Sequence, residues 1–74
     1  MDVHNLVKMA NQIGAFFESM PDREQAKADI AGHLKKFWDP RMRKAIVSSI
    51  DGGQAAELSP MVREAIEANR AVLL

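Results

Sequence analysis

The sequence predicts an all-α fold: a small helical domain of three to four short helices, in which a helical hairpin is followed by one or two C-terminal helices. Three observations carry that expectation. Four stretches repeat apolar residues at three-and-four spacing, the period of a helix that buries one face. No stretch alternates apolar and polar residues as a half-buried strand would. The breaks between the stretches fall at Pro21, Asp39-Pro40, Gly52-Gly53 and Ser59-Pro60, which are residue types that stop or start helices.

In the first stretch Asp2 is placed to cap a helix, and Val3, Leu6, Val7, Ala10, Ile13, Phe17 and Met20 recur at helical spacing, with Met9 and Phe16 widening the stripe. This helix is expected to end near Met20, where Pro21 follows. Asp22 with Gln25 forms a capping-box pattern that opens a second helix through Ala26, Ile30, His33, Leu34 and Phe37. Asp39-Pro40 starts a third helix, because Asp accepts from the free amides of a first turn and Pro at its first position forfeits no hydrogen bond. Met42, Ile46 and Ile50 follow on one face. Gly52-Gly53 supplies the left-handed residue that ends a helix, and the segment from Asp51 to Leu58 reads as the one hinge. Ser59-Pro60 repeats the cap-plus-proline device for a last helix from about Pro60 to Val72. Val62, Ala65, Ile66, Asn69 and Leu73 lie roughly on one face of it.

With 74 residues, 47% hydrophobic and 27% charged, the chain fits one domain over residues 1–74. A chain of this size buries only about 60% of the surface its unfolded form exposes, so its own core is small. Zero cysteines remove disulfides as a supplement, which points to association with another protein. Ten basic and ten acidic residues give net charge zero, favouring protein partners over nucleic acid. Asp2 and His4 stand where a signal peptide carries Lys or Arg, and no apolar run reaches the roughly 20 residues that cross a bilayer. The expected location is the cytoplasm, away from membranes.

No set of side chains converges on a reaction. His4 and His33 lie far apart with no ligand pattern around either, so no metal site is expected. Ser48 and Ser49 lack a nucleophile elbow, and Gly52-Gly53 lacks the spacing and lysine of a phosphate loop. One segment stands apart: Phe37, Trp38, Asp39, Pro40, Arg41, Met42 and Arg43 gather the single tryptophan and two arginines around a helix start. Trp and Arg dominate interface hot spots, so the run is a candidate partner-binding site. The alternative is that Trp38 plugs the core at a corner while Arg41 and Arg43 cover the edges of the Met42 stripe with their stems. The window from Lys35 to Lys44 holds five basic residues against Asp39, net +4, which leaves a small helix-turn-helix-like DNA-binding regulator as the alternative function.

Met9-Ala10-Asn11-Gln12-Ile13, then Phe16-Phe17, then His33-Leu34-Lys35-Lys36 leading into Phe37 to Arg43 resemble the delta subunit family of soluble NAD-dependent formate dehydrogenases, over roughly residues 5 to 50. The resemblance implies an accessory subunit with no catalytic or cofactor-binding residues of its own, in an enzyme that oxidises formate to carbon dioxide and reduces NAD. It implies alpha, beta and gamma subunits as partners, with alpha in direct contact. Those partners are expected to carry the bis-molybdopterin guanine dinucleotide centre, the iron–sulfur clusters and FMN. The absence of cysteine from this chain agrees with that division, since clusters are held by thiolates. Phe37 to Arg43 are the residues the resemblance nominates for docking, in support of assembly, stability or full activity.

Overall fold

Helices begin in this chain where a side-chain oxygen meets the free amides of a first turn. The computed structural model describes residues 2–74. Asp2 accepts from the His4 amide at 2.9 Å and opens α1, Val3–Phe17. Asp22 accepts from the amides of Glu24 and Gln25 and opens α2, Arg23–Phe37. Asp39 accepts from the Met42 amide at 3.0 Å, with Pro40 in the first turn of α3, Pro40–Asp51. Ser59 does the same for Val62 in α4, Pro60–Ala68. A single turn, α5, Arg70–Leu73, completes the chain, and no strand occurs among the described residues.

The all-α expectation holds, with local differences. Helix α1 ends at Phe17, not near Met20: Met20 precedes Pro21, a position that disfavours helical dihedrals, and its side chain packs on the core from the turn. The Gln25 side chain does not close the capping box but donates to Asp29 one turn on, at 2.9 Å. The last helix is interrupted at Asn69, where the backbone leaves helical geometry (φ −117°, ψ 25°) and the side-chain amide takes the Ala65 carbonyl at 2.9 Å. That interruption swings α5 onto α2 and α3 of its own chain and buries Leu73.

Helix α2 packs against α1, α4 and α5, and Ala26, Ile30 and Leu34 on it are fully buried. They join Leu6, Ala10, Ile46, Val62 and Ile66 in a core cluster that draws on every helix and on the α3–α4 connection. Gly14 sits where α1 crosses α4: a Cβ there would collide with Val62 Cγ2, so no larger residue fits without displacement. Helix α3 closes through Gly53 at φ 74°, with Gly53 N donating to the Ile50 carbonyl and Gln54 N to that of Ser49. This is the paired-bond arrangement that a left-handed residue makes possible after a helix.

The connection read as a hinge is tied down instead. Ala55 and Leu58 are buried. The Asn11 side chain donates to the Glu57 carbonyl at 2.9 Å and accepts from the Ser59 amide at 2.8 Å. Arg63 donates to the Ala55 carbonyl from the other side at 2.6 Å.

Candidate docking site

The turn between α2 and α3 follows from its sequence. Trp38 leaves helical geometry (φ −86°, ψ 140°) while its amide still donates to the Leu34 carbonyl. Asp39 stays extended ahead of Pro40 and caps α3, as the residue before proline must. The run Phe37 to Arg43 is thereby folded around a corner, which sorts its members into an inner and an outer set.

Trp38 and Arg43 turn inward, with exposures of 5% and 9%. Arg43 donates from Nε to the Leu73 carbonyl at 3.0 Å, and from Nη1 to the carbonyls of Lys35 (3.0 Å) and Trp38 (2.8 Å). A helix leaves its last carbonyls without amide partners and concentrates partial negative charge there. The guanidinium answers that need at the end of α2 and fastens the α5 turn to the same point. The edge-covering role that its spacing from Met42 suggests is therefore not the one Arg43 plays. The buried face of α3 includes Arg43, Ile46, Val47 and Ile50, and Met42 is only half-buried.

Phe37, Asp39, Pro40 and Arg41 face solvent. Phe37 is 65% exposed and lies beside His33, with ring centroids 4.7 Å apart. Lys36 Nζ stands 5.5 Å from the Phe37 ring centre, an attractive placement for a cation against an aromatic face. His33 in turn lies 6.3 Å from Phe17, and Phe17 meets Phe16 edge to face at 5.0 Å.

These aromatics form one wall system. A groove of about 480 Å³ runs between α1 and α2. Met9, Gln12, Ile13, Phe16 and Phe17 line it from α1, His33 and Phe37 from α2, and Trp38 from the corner that follows. Met9 and Phe16 do not widen the core stripe of α1: Phe16 is 76% exposed and Met9 40%. The two sequence runs singled out above, Met9 to Phe17 and His33 to Arg43, thus meet in space on this groove.

The basic window is altered by the inward turn of Arg43. Lys35, Lys36, Arg41 and Lys44 remain exposed, and none has a carboxylate within 4 Å among the described residues. The ion pairs formed elsewhere join Arg23 and Lys27 to Glu64, Lys27 to Glu24, and Arg70 to Asp51. The Asp51 carboxyl is held below its ordinary value, chiefly by the hydrogen bond from Arg70, and that of Glu64 by the hydrogen bond from Arg23. No group of three His, Asp or Glu side chains suited to a metal ion occurs among the described residues. Ser48 is exposed, and Ser49 is buried with its hydroxyl donating to the Ile46 carbonyl at 2.7 Å.

Among the described residues no helix is long and apolar enough to cross a membrane. Neither the curated proteins nor the solved structures include a match to the chain. The family model described as "NADH-dependant formate dehydrogenase delta subunit FdsD" matches residues 5–66, a span that contains both walls of the groove and the whole α2–α3 corner. The chain therefore belongs to the delta-subunit family of NAD-dependent formate dehydrogenases.

Proposed function

We propose that this delta subunit is a non-catalytic accessory component that docks on the large subunits of formate dehydrogenase, the alpha subunit in direct contact, and supports assembly, stability or full activity of the complex. The observation that carries the reading is the convergence of the two family-resembling runs on one exposed aromatic groove and its corner. In the run Phe37 to Arg43, the exposed Phe37, Asp39, Pro40 and Arg41 present the contact surface. Trp38, Met42 and Arg43 hold that surface in place from behind. Phe37 brings a large rigid contact area, and Arg41 brings a fork able to pair with a carboxylate in two directions.

The chemistry of formate oxidation lies with the partners on this reading. The chain has no cysteine for a cluster, and neither the groove nor the corner gathers a nucleophile with a base. The bis-molybdopterin guanine dinucleotide, the iron–sulfur clusters and FMN belong to the alpha, beta and gamma subunits, and the complex works in the cytoplasm.

The test is co-purification from the native host by a tag on this chain, with formate-dependent NAD reduction measured on the eluate. Stoichiometric recovery of the large subunits with activity is the expected result. The paired variant Phe37→Ala, Arg41→Ala is expected to lose that recovery while keeping full helicity by circular dichroism. Recovery undiminished by the pair would remove the corner from the interface.

A further inference from the structure

Of the five large hydrophobic side chains that stand exposed, Met9, Phe16, Phe37, Val72 and Leu74, three line the α1–α2 groove. Its edge at Phe37 is basic. No Asp or Glu lines the groove, and Lys36 sits on its rim against the Phe37 ring. Beyond it, Lys35, Arg41 and Lys44 are exposed and without ion-pair partners among the described residues. Asp39, the one carboxylate in that window, is occupied in capping α3. Elsewhere the chain pairs several of its cations internally. The exposed surface at this site therefore offers an apolar trough with an uncompensated positive edge.

We infer that the groove receives an amphipathic helix of another subunit of the complex, inserting apolar side chains between α1 and α2 and laying acidic residues along the Lys36 edge. The dimensions fit that mode. Met9 to Phe16 spans seven residues of α1, about 10 Å, which is about two turns of a docked helix and room for anchors at i, i+3 or i+4, and i+7. The flexible thioether of Met9 adapts to such anchors beside the edge-to-face rings, and the positive edge fixes their register and speeds the encounter. A second copy of this chain is the competing occupant, and the cross-link described below tells it from a larger subunit.

The inference rests on the reading of the chain as a docking subunit, and the experiment separates the two. Position 16 lies outside the α2–α3 corner and is largely exposed, so it tolerates substitution without loss of fold. The variant Phe16→p-benzoylphenylalanine, expressed with a tag in the native host and irradiated, is expected to cross-link to one segment of a larger subunit. That segment has apolar residues at helical spacing and a flank of Asp or Glu. In parallel, Phe16→Ala and Lys36→Glu are each expected to weaken binding of the large subunits at least about tenfold. Thermal unfolding should be unchanged, and the Lys36 effect should shrink as salt is raised. Cross-linking to a second copy of this chain, or to a segment without acid, overturns the inference, as does undiminished binding by both variants. If the unmodified chain fails to bring down any larger subunit, the docking reading itself falls.

Discussion

The clasp around Arg43 and the groove beside Phe16 are made from the same kinds of residue and do opposite work. The groove draws on both distinctive runs of the sequence and the clasp on the second, and each run divides the same way. Asn11 and Arg43 turn toward their own chain and spend their donors on backbone carbonyls. Met9, Phe16, Phe37 and Arg41 turn outward. A distinctive run can therefore be distinctive for two reasons at once: part of it holds a surface in shape, and part of it is the surface.

The sharpest way to break the comparison is to remove the clasp. Arg43→Ala strands two carbonyls at the end of α2 and one at Leu73, and should cost about 3 kcal/mol. In a domain of this size that lowers Tm by roughly 10–20 °C, measured by thermal unfolding at 222 nm. Its effect on partner binding should then follow the loss of folded chain. Weakened binding with Tm unchanged would instead make Arg43 a contact residue.

Next in size is Asn11→Ala, which deletes both hydrogen bonds that tie the α3–α4 connection to α1, a loss of about 1–2 kcal/mol. Amide exchange at Glu57 to Ser59 should rise more than exchange within α2. Uniform acceleration along the chain would show that the connection and the core open together. The outward residues should behave otherwise: Phe16→Ala and Phe37→Ala are each expected to shift stability by no more than about 0.5 kcal/mol, read from urea unfolding. A large loss for either would place it in the core.

The smallest effect separates the neutral clasp from the surface ion pairs. Asp51 and Glu64 have folded-state pKa values below their ordinary ones. Their contribution is thus present above the unfolded carboxylate value and is lost as pH falls through the folded one. Stability should decline slightly in acid, and the decline should diminish in Arg70→Gln or Arg23→Gln. The Arg43 clasp binds carbonyls, which do not titrate, so Arg43→Ala should leave the acid profile unchanged in shape.

Much of this was open to reading from the residues in order. Asp2, Asp22, Asp39 and Ser59 mark their helix starts, because a cap acts on amides two or three positions away and needs nothing distant. Gly53 ends α3 for an equally local reason, its positive φ. Pro21 keeps Met20 out of helical geometry, a neighbour effect legible in the sequence, whereas the stop at Phe17 comes earlier than the apolar spacing up to Met20 suggests. The corner at Phe37 to Arg43 is marked by composition and by family resemblance, and the upstream run from Met9 to Phe17 by the resemblance.

Tertiary structure alone decided which side of each run faces in. Arg41 and Arg43 are the same residue two positions apart, and only the packing of α3 against α1, α4 and α5 sends one to solvent and the other to three carbonyls. Asn11 meets partners 46 and 48 residues away in sequence, a closure that no local pattern announces. Phe16 and Met9 have the periodicity of core residues, yet the approach of α1 and α2 leaves a groove beneath them. The sequence by itself determined where the four longer helices begin and how α3 ends, because those interactions are local. The rotation of each helix about its axis, and with it the surface this chain offers to a partner, is settled by contacts between residues far apart in the chain.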